Sequence, residues 1–303
     1  MSEPLLDLRL LHCFEAVAAK GSLTAAAKEL HVTQPAATMQ LKRLEAQLGG
    51  ALFERQRRGM VMTRLGKLLV EYVGRYRNLA TAIARVASDF AERPRGRVTV
   101  GTYTTATSYL LRKCLSSFFR SHPDVSLFFD YSAEHLLMSR LRSYDLDCGI
   151  MAELPDASDL DRQPIVRVPM VYVVGKRFGA LPDTIPADEL QNVPFLSYSN
   201  PEERVYQQSV VRHVGVFLER ARVVVEGENQ ETFKRLAIDS VGATILPQYM
   251  VERELKTGQL RHVKIAHHKL HIDFSFATKR DALLSAATVA LRRQVLAAFA
   301  GYR

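Results

Sequence analysis

Gln34, Pro35, Thr38, Met39, Lys42 and Arg43 lie close together in the chain, and on a helical wheel they share one side, with Gln34 at its edge. Amide, hydroxyl and cationic groups on the first turns of a helix suit entry into a DNA major groove, N-terminus first. Gln34, Pro35 and Thr38 are expected to face base edges. Lys42 and Arg43 are expected to meet the backbone or pair with acids. A methionine cannot donate to guanine, so Met39 points to a different base, towards a thymine methyl. Arg55, Arg57 and Arg58 precede Gly59 in a second cationic group, suited to phosphates or a minor groove. A third group, Thr102, Thr104, Thr105 and Thr107, follows one apolar run and precedes another. Hydroxyls beside a helix N-terminus favour an anion, although any one of them can simply be the cap.

The first group needs two helices and a tight turn to present it. In SLTAAAKELHVTQPAATMQLKRLEAQL, Leu23, Ala26, Ala27 and Leu30 form a small flat face, and Val32 plugs the turn. Thr33 is placed to N-cap the second helix, with Pro35 in its first turn. Ala37, Leu41, Leu44 and Leu48 recur as one buried stripe. These residues alone also fit an ordinary helical hairpin with a solvated polar face. Gly49 and Gly50 stop the helix, and ALFERQRRGMVMT reads as a hairpin with the arginines at its tip. An amphipathic helix over 5–19 backs the pair. Beyond Thr63, Leu65, Leu69, Tyr72, Tyr76, Leu79, Ile83, Val86 and Phe90 alternate in steps of four and three, a narrow stripe suited to pairing with another helix. The alternative is a surface helix lying along its own domain.

The whole stretch SLTAAAKELHVTQPAATMQLKRLEAQLGGALFERQRRGMVMTRLGKLL resembles the DNA-binding segment of the LysR-type transcriptional regulators, and the pattern continues to the C-terminus. The resemblance implies a winged helix-turn-helix over 1–63, a long linker and dimerisation helix over 64–91, and an effector-binding domain over 92–303. That last domain is expected to be a two-lobed, periplasmic-binding-protein-like (type 2) α/β unit. Lobe I takes 96–166 and 268–303, lobe II takes 167–267, and the crossings fall near Arg167 and His267. The resemblance further implies a homodimer through the linker helix, a dimer of dimers on an inverted-repeat promoter site in double-stranded DNA, and RNA polymerase as a partner. Many relatives carry a basic residue where Met39 stands, so this chain departs from the pattern there.

Strand and helix signals alternate beyond the charged breaker AERPRG. Strands are expected at 97–101, 125–131, 147–151, 164–174, 194–198, 222–226, 243–246, 260–265 and 270–277. Helices are expected at 106–121, 134–143, 202–219, 231–239, 247–256 and 281–299. Alternation of this kind reads as parallel sheet with helices on its faces. Ligands then bind at the C-terminal ends of strands, between lobes. Thr102, Thr104, Thr105, Ser132, Met151, Ser197, Tyr198, Ser199 and Asn229 fall in such loops, and they would clamp a small polar effector, most simply a carboxylate.

Composition bounds the rest. The 303 residues are 47% hydrophobic and 24% charged, which suits a small domain plus a larger one. The net charge is +9, and most of the excess falls in the first 95 residues, around the cationic groups above. No long uncharged apolar run suggests a membrane span, the start lacks a basic signal region, and cytoplasmic residence is the default expectation. Cys13, Cys114 and Cys148 are odd in number and without metal-like spacing, so buried thiols are expected over a redox switch. His262, His267, His268 and His271 have no cysteine or carboxylate at the usual structural-site spacing, and a turn between strands explains them without a metal. No G-x-S-x-G motif occurs, and the stretch 59–67 has the wrong interval for a phosphate loop. No catalytic residue and no cofactor are expected, only an unidentified small-molecule effector. A solute-binding or enzymatic α/β domain with a helical attachment is the competing reading, and it leaves the charge excess and the apolar stripe unexplained.

Overall fold

Three helices open the chain, each started by a polar side chain that accepts from a free N–H of its first turn. Asp7 accepts from Arg9 to start α1 (Leu8–Lys20), Ser22 from Ala25 to start α2 (Leu23–Glu29), and Thr33 from Ala36 to start α3 (Gln34–Leu48). The computed structural model describes residues 7–56, 59–88, 94–132, 134–152, 158–198 and 221–302. Its contacts divide the chain into two compact units, Met1–Thr81 and Ala82–Arg303.

In the first unit, Leu10, Leu11, Phe14 and Val17 of α1 meet Ala26 of α2 and Leu41 and Leu44 of α3 in one core. The buried thiol of Cys13 donates to the carbonyl of Ala37 at 3.4 Å, so α1 also holds the backbone of α3. Gly49, in the left-handed region at φ 72°, closes α3. The Leu52 N–H then donates to Glu45 Oε1 at 2.8 Å, which fixes the chain's departure into a hairpin of β1 (Phe53–Gln56) and β2 (Gly59–Met62). The Met60 N–H donates to the Gly21 carbonyl at 2.9 Å, and a Cβ on Gly59 would stand 2.6 Å from that same oxygen. Only glycine fits there. The hairpin is therefore pinned to the turn between α1 and α2.

Thr63 starts α4 (Arg64–Ser88) by accepting from the Gly66 N–H at 3.1 Å. A Cβ on Gly66 would lie 2.3 Å from the Leu52 carbonyl, so this glycine lets the helix pass over the base of the hairpin. The predicted single stripe on α4 divides in two. Leu69 and Val70 pack against the helical core and Val73 is buried in it. Tyr72, Tyr76, Leu79 and Ile83 remain exposed. Phe90 lies outside the described residues. The boundary between the two units falls within α4, the helix expected as a segment of its own.

The second unit is α/β, as expected, but its sheet is mixed. Strands β3 (Gly96–Gly101), β4 (Val125–Asp130) and β5 (Cys148–Ala152) are parallel, with β3 in the middle. A turn of π-helix (Ala106–Leu110) leads into α5 (Arg112–Ser121), and α6 is Glu134–Arg142. The long strand β6 (Leu160–Gly175) and β13 (His271–Lys279) run antiparallel to each other, and β13 also runs antiparallel to β5. Past Pro169, β6 pairs instead with β10 (Thr244–Pro247) and β11 (Leu260–His262). One strand thus serves two halves of the unit. Arg167 and Asp273 clasp β6 to β13 with two hydrogen bonds of 2.8 Å near the exchange of partners. Alternating strand and helix signals cannot reveal such strands, because their antiparallel partners come from distant parts of the chain.

The second half adds β8 (Phe195–Tyr198) parallel to β9 (Val223–Gly227), and β7 (Thr184–Ile185) parallel to β12 (Lys264–Ile265). Its helices are α7 (Gln230–Ile238) and α8 (Gln248–Lys256), and α9 (Ala286–Ala298) closes the first half. Three sequence expectations need correction. The helix over 106–121 is broken, with the π-turn before α5. The strand over 260–265 is two strands, separated at the fully buried Val263, that pair with different partners. The closing helix starts five residues late, because Ser285 accepts from Thr288 and sets the N-terminus there. The helix expected over 202–219 lies outside the described residues.

Candidate nucleic-acid interface and effector cleft

The buried stripe of α3 consists of Ala37, Leu41 and Leu44, which turns the opposite side outward. Gln34, Pro35, Met39, Lys42 and Arg43 are all exposed there. Gln34 and Pro35 occupy the first turn, directly after the Thr33 cap. Thr38 is half-buried, and its hydroxyl donates to the Gln34 carbonyl at 2.8 Å, which leaves its oxygen as an acceptor. Five of the predicted base- or phosphate-facing groups therefore project from a helix held on its other side by α1 and α2. Arg55 belongs to β1 and pairs with Met60. Arg57 and Arg58 lie outside the described residues.

The predicted effector residues are less uniform. Thr102 is fully buried, and its hydroxyl donates to the Ile150 carbonyl at 2.8 Å, tying the end of β3 to β5. Met151 is fully buried among Leu137, Met138 and Leu141 beneath α6. Both side chains are turned into the protein, which corrects their expected place in the cleft. Thr104 is exposed and Thr105 half-buried, and the Thr105 hydroxyl shares a hydrogen bond of 3.4 Å with Tyr249. Thr107 donates to the Thr104 carbonyl at 2.9 Å and meets Tyr131 at 3.1 Å.

Ser132 donates through both its N–H and its hydroxyl to Asp130 Oδ1, at 2.9 and 2.6 Å, while Arg140 engages the other carboxylate oxygen. Burial works against the Asp130 charge, but the Ser132 bonds and the Arg140 cation outweigh it and hold the carboxyl below its ordinary range. Ser197 is half-buried on β8 beside Glu226 of β9, and Tyr198 pairs with Gly227. Ser199 lies outside the described residues. Asn229 caps α7, its side-chain oxygen accepting from Glu231 and Thr232 at 3.0 and 3.2 Å.

A set of residues that the sequence did not single out bridges the halves. The Tyr109 hydroxyl donates to Glu231 Oε2 at 2.8 Å and accepts from Lys234 Nζ at 2.8 Å, and Lys234 also meets Glu231 at 3.0 Å. The Tyr109 ring stacks on Tyr249 with centroids 6.3 Å apart. Lys234 is 6% exposed. Burial opposes its charge, but Tyr109 and Glu231 more than compensate, and its pKa lies above the ordinary lysine value. Glu231 is displaced in the other direction: desolvation is outweighed by the hydrogen bonds from Lys234 and Tyr109. Burial pushes Tyr249 up to about 12. One signal for this cluster was available: Lys234 precedes Ala237 by three and Ile238 by four, an inward position on α7.

A groove of about 1380 Å³ borders the same cluster, walled by Tyr109, Arg112, Glu231, Lys234, Tyr249 and Phe299. Among the described residues, none of Thr102, Thr104, Thr105, Ser132, Met151, Ser197 and Asn229 lines it. All three cysteines are buried and unpaired. Burial raises each thiol, Cys114 to about 11, which disfavours the reactive thiolate. Among the described residues no cluster of histidine, cysteine and acid groups could hold a metal, and no helix is long and apolar enough to cross a membrane.

Two family models match. Residues 8–67 match the bacterial regulatory helix-turn-helix protein of the lysR family, and residues 91–300 match the LysR substrate binding domain. The chain is 28% identical to an uncharacterised HTH-type transcriptional regulator, YusT, of Bacillus subtilis, over 93% of this chain and 91% of that one. It is 29% identical to the HTH-type transcriptional regulator CfxR of Cupriavidus necator, over 96% and 91%. Among solved structures, full-length CbnR complexed with its target DNA shares the fold, with a TM-score of 0.69, 21% identity and coverage of 96% and 99%. These relatives are regulators of transcription and not enzymes.

Proposed function

The chain belongs to the LysR family of bacterial transcriptional regulators, and from that premise we propose how its two units work. A homodimer binds an inverted-repeat promoter site, with α3 of each protomer in a major groove. The exposed face of Gln34, Pro35, Met39, Lys42 and Arg43, on a helix whose other side is buried, carries this reading. Gln34, Pro35 and Thr38 meet base edges, Lys42 and Arg43 meet phosphates, and Arg55 with Arg57 and Arg58 reaches phosphate or the minor groove. The exposed row of Tyr72, Tyr76, Leu79 and Ile83 on α4 supports dimerisation through that helix. Two such dimers form a tetramer that contacts RNA polymerase in the cytoplasm.

The second unit binds a small anionic effector between its halves and changes promoter output in response. Thr104, Thr105, Ser132, Ser197, Tyr198, Ser199 and Asn229 supply polar contacts, and Arg140 beside Ser132 adds a cation. No resident cofactor takes part.

Titration of the full-length protein on promoter DNA across a range of salt concentrations tests the reading. Affinity should fall steeply with salt, and Arg55→Ala should weaken binding and flatten the logarithmic slope by about 0.9 for each phosphate that the variant leaves unneutralised. Salt-independent binding would refute the assignment of α3 and the hairpin. An unchanged slope in the variant would remove Arg55 alone from the set of residues that hold phosphate.

A further inference from the structure

We propose that Met39 reads a thymine through its 5-methyl group and so sets one base preference in each half-site. The inference rests on the reading of α3 as the helix in the major groove. Met39 is 68% exposed, and among the described residues Leu283 alone is a more exposed large apolar side chain. It is two residues from both Ala37 and Leu41, and about 200° around the helix from each, so it stands opposite the buried stripe. Pro35 lies one turn before it, Thr38 beside it, and Lys42 and Arg43 one turn after it. An apolar side chain therefore occupies the middle of a surface that, Pro35 apart, is made of hydrogen-bonding and cationic groups.

A thioether has no donor and is a weak acceptor. The edges of guanine, adenine and cytosine in the major groove offer donors and acceptors, whereas thymine adds a methyl group. Of the four bases, thymine is the one that gives Met39 an apolar partner. The unbranched side chain, with three rotatable bonds, can settle against a methyl without demanding a single geometry. A basic side chain at this position would favour guanine or a phosphate instead, so the methionine affects which base is preferred and not merely how tightly DNA is held.

The test uses the full-length protein. Duplexes enriched from a random pool define the recognised motif. Each thymine in the motif is then replaced singly by deoxyuridine, which removes only the methyl, and affinity is measured by fluorescence anisotropy. One thymine per half-site should bind about fourfold more weakly as uracil, the equivalent of ~0.8 kcal/mol for one buried methyl group. Met39→Ala should bind the two duplexes equally, and Met39→Leu, which keeps an apolar tip, should retain the difference. Exposure of Met39 leaves the fold of both variants undisturbed. The proposal is overturned if every replacement is neutral in the unaltered protein, or if the penalty persists in Met39→Ala. Failure to enrich any sequence, with DNA affinity insensitive to salt, would remove the reading of α3 and this inference with it.

Discussion

The two units display their candidate residues in opposite ways. On α3 the groups aimed outward come from one helix, and apart from the Thr38 hydroxyl bond to Gln34 the chemistry stands ready on an exposed face. In the second unit, hydroxyls and amides gathered from several loops are already bonded to the protein: Thr105 to Tyr249, Ser132 to Asp130, Asn229 to the start of α7. A rigid polyanion can be met by a surface fixed in advance. A small molecule that must alter the protein gains leverage by competing for bonds already made, since it can shift an equilibrium only by its differential affinity for two states.

The comparison can be broken at either side. The largest effect should come from Gly66→Val. Its Cβ would stand 2.3 Å from the Leu52 carbonyl, where neither backbone can yield cheaply. Overpacking of this kind should cost the first unit about 3 kcal/mol. Calorimetry should show its transition shifted down and DNA binding abolished, while the second unit melts unchanged. A common shift of both transitions would mean that the units do not fold separately.

Lys234→Met tests the other side. The side chain of Lys234 is 7% exposed and that of its partner Glu231 is 34% exposed, so the loss of the pair is partly relieved by water. A destabilisation of about 2 kcal/mol is expected, confined to the second unit. Unaltered melting would show that the Lys234 contacts add nothing to the hold between the halves.

The smallest effect is the pH dependence of the same cluster. Glu231 titrates below its ordinary 4.5, so its contribution is complete above that value and is lost as pH falls through the lower folded value. Lys234 titrates above its ordinary 10.5, so its contribution is complete below that value and is lost as pH rises through the folded one. Between these limits the melting temperature of the second unit should vary little from this source. Outside them, the loss attributable to this cluster should stay below about 1 kcal/mol because Glu231 is partly solvated. A change centred near neutrality would point to a histidine instead.

The legibility of the sequence followed the range of its contacts. Thr33, Pro35 and the stripe of Ala37, Leu41 and Leu44 interact within a few turns, and the opening helices and hairpin formed where their local signals placed them. Thr102 and Met151 were misplaced because a residue at a strand end points into or out of the protein according to its neighbours, and β5 lies beside β13, more than a hundred residues onward. On α4, steps of four and three admit several stripes, and only the packed core selects Val73 for burial and leaves Tyr72 outside. Lys234 was passed over because an inward lysine on a short helix is inconspicuous until Tyr109 and Glu231 are brought to it.

The contact of Gly59 and Met60 with the Gly21 carbonyl has a consequence for building hybrids of such proteins. The hairpin is not a detachable module. A hairpin borrowed from a relative would arrive without the turn that receives it, and a side chain at position 59 would push the tip away from the helices. Exchanging DNA preference by transplantation should therefore move the turn at Gly21 together with the hairpin, whereas exchange of the outward residues of α3 leaves every such junction intact.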